Sequence, residues 1–118
     1  MPALDDQPSI NLDTLRSIGG GALVSQVVKI ALDAIPKDTA QAVSALNEKD
    51  MQSVSQAAHK MGNSAANIGA TELQNAWRKV ERLADLGHIE ALADSVARAC
   101  TLNDKTLSEL KAAVSLPI

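Results

Sequence analysis

Six apolar residues, Met51, Val54, Ala58, Met61, Ala65 and Ile68, follow one another at intervals of 3, 4, 3, 4 and 3. Only a helix of about 3.6 residues per turn gathers such a series onto one line; a strand would scatter it over both faces. A line kept this strictly is the seam of a helix that lies lengthwise against others, as in a bundle. The flanks agree with a helix over 50–68. Asn47-Glu48-Lys49-Asp50 reads as a turn whose Asp50 caps the first turn, and Gly69 closes the segment.

The same period, less strict, runs through the rest of the chain. Downstream, Thr71 is placed to cap a helix that turns Leu73, Trp77, Val80 and Ala84 inward and stops at Gly87. A last helix starts near Ile89 with Leu92, Val96, Ala99 or Cys100, Leu107, Leu110 and Val114 inward. Asn103-Asp104 interrupts its pattern and Thr106-x-x-Glu109 resembles a capping box, which leaves room for a break. Upstream, a helix over about 22–47 carries Leu23, Val27, Ile30 and Ala34, flanked by Val24, Val28, Ala31 and Ile35. Pro36 is expected to bend it, or less readily to restart it, and Ala40, Val43 and Leu46 continue the stripe. Before it a short helix, capped by Asn11 or Asp13 and ended by Gly19-Gly20-Gly21, sets Leu12, Leu15 and Ile18 on one side. Residues 1–9, with two Pro and two Asp, read as a linker or frayed arm. The expected fold is all-α: an antiparallel four-helix bundle with a short N-terminal capping helix, spanning 10–116.

Composition supports this and narrows the function. Of 118 residues, 20 are Ala, and the aromatics amount to one Trp with no Phe or Tyr, which favours closely packed helices over a β sandwich. A net charge of −3 gives no basic footprint for nucleic acid, and stacking platforms for single strands are absent. One Cys and two His without ligand spacing predict neither an internal disulfide nor a metal site, and no intrinsic cofactor is expected. No apolar run approaches the ~18 residues of a membrane span, and the opening MPALDDQPS is acidic, unlike a signal peptide. A cytoplasmic chain is the expectation.

The residues left unexplained by packing lie on the helix 50–68. Gln52, Gln56, His59 and Asn63 fall together on the side opposite the seam, with His59 roughly 130° from the centre of the stripe. Gly62 lies about 60° from His59 and one turn along, although a glycine inside a helix costs about 0.5–1 kcal/mol relative to alanine. Gly62 to Ala66 are all small, which suits close approach of a partner. An imidazole with the ordinary pKa of about 6.5 keeps a lone pair on one ring nitrogen at neutral pH. A hydrogen bond at the other nitrogen, from Gln56 or Asn63 within the helix, would fix its tautomer, and Lys60 would contribute charge. A lone exposed histidine is more often only a solvated side chain, and the polar line with it a solvated face. His88 reads as a surface or capping residue, Cys100 as a small core residue, Trp77 as core with an indole in need of a partner, and Arg78, Lys79 and Arg82 as a solvated basic patch.

The run Ala58-His59-Lys60-Met61-Gly62-Asn63-Ser64-Ala65-Ala66-Asn67-Ile68-Gly69-Ala70 resembles the signature of histidine-containing phosphotransfer (HPt) domains of bacterial phosphorelays, approximately A-H-x-L-K-G-S-A-x-x-L-G-A. Ala58, His59, Met61, Ser64, Ala65, Ile68, Gly69 and Ala70 fall in register; Leu73 and Val80-Glu81 follow where the family has Leu and Leu-Glu. Ile18-Gly19-Gly20 and Lys49-Asp50 are similar to its opening helix and the turn before the histidine, so the resemblance covers about 10–114. It implies that His59 is a phosphoacceptor carrying a phosphoryl group between aspartates of response-regulator receiver domains, supported by Gln56, Lys60, Gly62, Asn63 and Ser64. It further implies a monomeric phosphocarrier without ATP-dependent kinase activity, Mg²⁺ supplied by the receiver, and a hybrid sensor histidine kinase as a possible source or partner. The other reading is a helical adaptor that binds a receiver without transfer. This sequence departs from the pattern at Gly62 and Asn63, where the family has Lys and Gly. Lys60 points about 160° away from the direction in which the family's Lys projects, so either another cation serves the phosphoryl group or the receiver supplies the charge.

Overall fold

The structure, a computed structural model, describes residues 10–115; the arm expected over 1–9 lies outside them. Four helices follow in order: α1 Asp13–Asn47, α2 Met51–Asn67, α3 Thr71–Leu86 and α4 Ile89–Ser115. Connections of two or three residues turn each helix back on the one before it. α1 packs on α2, α2 on α3 and α3 on α4, and α4 closes the ring against α1. The polar pairs Ser55–Asp85 and His59–Glu81 step forward along α2 as they step back along α3, as antiparallel neighbours must. This is the four-helix bundle the periodicity implies.

α2 follows its seam closely: Val54, Ala58, Met61, Ala65 and Ile68 are all fully buried. Asp50 caps it as expected, accepting from the Ser53 amide at 3.2 Å and from the Ser53 hydroxyl at 2.6 Å. These two hydrogen bonds hold the Asp50 carboxyl below the usual carboxylate range. Leu73, Trp77, Val80 and Ala84 of α3 are buried as expected. Thr71, however, does not cap α3: the capping position falls on Ala70 and no side chain serves it. Gly69 explains the turn before it. Its φ is 65°, and a Cβ there would run into the backbone of Asn11. The Asn11 amide donates to the Ile68 carbonyl at 3.0 Å, so the N-terminal segment is tied to this end of the bundle.

α1 holds two helical stretches. The short first helix and the long one meet at a kink at Gly20, whose φ of 66° and ψ of −161° are not helical, within the glycine run expected to end the first. Pro36 keeps helical dihedrals and starts no new helix. Buried residues on both sides of it, from Val24 to Ala45, keep the helix continuous across the lost donor, as expected of one helix through Pro36. The buried line is Val24, Val28, Ala31, Ile35, Ala42 and Ala45, one residue on from the stripe that opened at Leu23. Ile30 is 60% exposed and Ile18 74%. Both lines are apolar, so hydrophobicity alone did not rank them; contact with two neighbouring helices did. An 18-residue window of α1 has mean hydropathy 1.5, enough by length and composition to cross a membrane, contrary to the sequence expectation. Only 22% of that window is buried within the bundle.

α4 is unbroken through Asn103-Asp104. Its buried line is Leu92, Val96, Ala99, Asn103, Thr106 and Leu110, the same alternating period as α2 with two polar residues set into it. Asn103 is there for Trp77. The indole Nε1 donates to Asn103 Oδ1 at 3.1 Å, Asn103 Nδ2 donates to Thr39 Oγ1 at 2.7 Å, and Thr39 Oγ1 donates to the Ile35 carbonyl at 2.6 Å. A buried polar chain thus links α3, α4 and α1 with its side-chain groups satisfied.

Candidate functional site

His59 stands on the face of α2 that looks along α3, with its side chain 57% exposed. Ala58 before it and Met61 after it are fully buried, so the backbone beneath the imidazole is fixed by the core while the ring remains in solvent. The ring is not free to turn. Glu81 reaches across from α3 and sets Oε2 3.0 Å from His59 Nδ1. A carboxylate only accepts, so Nδ1 carries the proton and the lone pair is left on Nε2. Among the described residues no side chain bonds to Nε2.

Arg78, one turn before Glu81 on α3, completes the arrangement. Its Nη2 donates to Asn63 Oδ1 at 2.9 Å, and its Nη1 lies 3.4 Å from the His59 carbonyl and 3.4 Å from Glu81 Oε1. The same Nη1 is 3.3 Å from His59 Nδ1. With the Nδ1 proton directed at Glu81 that last approach is a contact between two donors, and the guanidinium finds its acceptors in the other three groups. The guanidinium lies flat over Gly62: a Cβ there would sit 2.8 Å from both Cζ and Nη1. Gly62 is buried under it.

A family model of the Hpt domain matches residues 26–115. The chain belongs to the Hpt domain family. Its fold is similar to the crystal structure of the HPT domain from the Hpt sensor hybrid histidine kinase from Shewanella, with a TM-score of 0.79 at 18% identity over 91% of this chain and 94% of that one. No curated protein matches the chain. Membership implies histidine phosphotransfer in phosphorelays, with receiver domains and histidine kinases as the partners of such domains, and it implies a carrier rather than a kinase.

Within this Hpt bundle the residues singled out from the sequence separate into two groups. His59, Gly62 and Asn63 share the α2–α3 face. Gln56 and Lys60 instead line a shallow groove between α1 and α2, with Gln41, Glu48 and Asp50. The partner of the His59 ring is neither Gln56 nor Asn63: it is Glu81, and Asn63 holds Arg78. The in-helix candidates lose because a carboxylate on a packed neighbouring helix is better placed than an amide on the same one. Ser64 is half-buried one turn beyond Lys60. Of the basic patch, Lys79 and Arg82 are exposed, while Arg78 folds back onto α2 and is no part of a solvated face. Cys100 is half-buried rather than core, and burial, with Asp104 nearby, pushes its thiol up. Glu81 had a signal in the sequence, the Val80-Glu81 pair that matches the family's Leu-Glu. Arg78 had only an indirect one, the glycine at position 62. Among the described residues no cluster of His, Cys, Asp or Glu could hold a metal ion.

Proposed function

We propose that His59 accepts a phosphoryl group from the aspartyl phosphate of a receiver domain and passes it to the aspartate of another. The observation that supports this most is the exposed Nε2 of an imidazole whose Nδ1 is held by Glu81 at 3.0 Å. In the forward step the Nε2 lone pair forms the N–P bond while the acyl P–O bond breaks and the receiver's aspartate leaves as carboxylate. The Nδ1 proton stays on the ring, and the Glu81 carboxylate balances the positive charge that the ring acquires. The return step is the reverse, so no net oxidation, hydrolysis or ATP is involved. A loose phosphoryl-transfer transition state asks for alignment and charge neutralisation rather than covalent help, and a fixed ring in a fixed tautomer supplies the alignment. Mg²⁺ belongs to the receiver and neutralises phosphoryl oxygens from that side. Gly62 and Ala65 are buried, so the receiver docks on the α2–α3 face around His59 over Asn63, Ser64 and Ala66, with Gln56 and Lys60 on the far side of α2, and the chain works as a monomer in the cytoplasm.

Incubation with a phosphorylated receiver and Mg²⁺ tests the reading. An acid-labile, alkali-stable label on the wild-type chain, absent from His59→Gln, is expected. A label that persists in His59→Gln would misplace the acceptor, and a receiver that binds both forms without transfer would make the chain an adaptor.

A further inference from the structure

We infer that Arg78 is the phosphoryl-binding cation of this site, delivered to His59 from α3 across the gap left by Gly62. The inference rests on His59 as the phosphoacceptor and adds to it the residue that holds the transferred group. Four observations converge on it. The guanidinium is pinned on α2 at its Nη2 end by Asn63 at 2.9 Å. Its Nη1 end makes only long contacts, 3.4 Å to the His59 carbonyl and 3.4 Å to Glu81, which exchange easily for a stronger acceptor. Nη1 is 3.3 Å from His59 Nδ1, which puts the guanidinium beside the ring whose Nε2 takes the phosphorus. Finally, position 62 has no side chain, and any Cβ there would take the guanidinium's place, approaching it to 2.8 Å.

The alternatives within the chain are poorly placed. Lys60 follows His59 directly but lines the groove on the α1 side of α2. Lys79 and Arg82 flank the site on α3 with both side chains exposed. A phosphoryl group on Nε2 brings oxygen acceptors carrying full negative charge, which a guanidinium binds through two parallel N–H donors. With Nη2 kept on Asn63, Nη1 can turn from the His59 carbonyl and Glu81 toward those oxygens. Release of Nη1 also leaves Glu81 wholly to the Nδ1 proton at the moment the ring becomes positive. Arg78 therefore acts on the transferred group itself, whereas Glu81 acts through the ring.

Direct labelling of the full chain with phosphoramidate removes the receiver from the measurement. Nε2 attacks phosphorus and ammonia leaves, and the phosphohistidine is followed by ³¹P NMR. Arg78→Gln is expected to slow labelling about 10-fold or more, and Arg78→Lys to retain part of the rate. Gly62→Ala is expected to slow it as well, by displacing the guanidinium without touching its charge. Gly62→Lys combined with Arg78→Gln, which carries a cation on α2 one turn from His59, is expected to recover most of the rate. Circular dichroism checks that each variant remains helical, so that a slow variant is told apart from an unfolded one. Arg78→Gln labelled within twofold of wild type, with His59→Gln unlabelled, would overturn the role of Arg78 and leave the acceptor standing. Label on His59→Gln would overturn both.

Discussion

Gly62 and Arg78 occupy one space: the guanidinium of Arg78 fills the volume that a Cβ at position 62 would need, 2.8 Å from its Cζ. The obstacle is the far end of a flexible side chain, which can move aside. Gly62→Ala gains about 0.5–1 kcal/mol of helix propensity and loses exposed contacts of Arg78 worth about 0–1 kcal/mol. Urea unfolding is therefore expected to find its stability within about 1 kcal/mol of wild type. Gly69 is the contrasting case. There the neighbour is the Asn11 backbone and φ is 65°, so Gly69→Ala is expected to cost about 1–3 kcal/mol. Equal effects of the two substitutions would contradict this account of why each glycine is present.

Asn103 is the acceptor for the fully buried indole of Trp77. Asn103→Leu keeps the size of the side chain but leaves that N–H without its partner. A loss of about 1–3 kcal/mol is expected from denaturant unfolding, with helical content preserved. A neutral result would mean that the polar chain from Trp77 to Thr39 adds nothing to stability.

The cap on α2 gives a pH signature. The Asp50 carboxyl is held below its ordinary range by Ser53, so its ionised form is favoured in the folded chain. Its contribution is complete above about pH 4, where the unfolded carboxyl is also ionised, and is lost as pH falls through the folded value. Asp50→Ala should lower Tm at pH 7, and the gap to wild type should close on acidification below about pH 4. A gap that stays constant to lower pH would deny the cap its charge.

Burial and Asp104 both raise the Cys100 thiol, which leaves less thiolate at neutral pH. Iodoacetamide should alkylate the native chain more slowly than it alkylates the same chain in urea. Equal rates would show the sulfur to be open and unperturbed.

The sequence carried the bundle because its strongest pattern, Met51 to Ile68, lies on the helix that is packed most fully. It misjudged α1, where Leu23 and Val24 begin two equally apolar lines and only the neighbouring helices choose between them. It read Asn103 as an interruption because a polar residue in a seam looks like a break until its partner, 26 residues away, is in view. His59, the proposed acceptor, stands out in the sequence by its face and by the motif around it. Its support was legible only in part, since Glu81 and Arg78 reach it from another helix, and spacing within one helix does not register such contacts.

The central claim is that Glu81 fixes the Nδ1 proton and so leaves Nε2 as the nucleophile. The position of phosphorus on the ring tests it most directly, by ¹H–¹⁵N correlation of the His59 imidazole after phosphorylation by a receiver. Phosphorus on Nε2 of His59 with Nδ1 still protonated is the predicted result, with slower transfer in Glu81→Ala. Phosphorus on Nδ1, or on any residue other than His59, would contradict it.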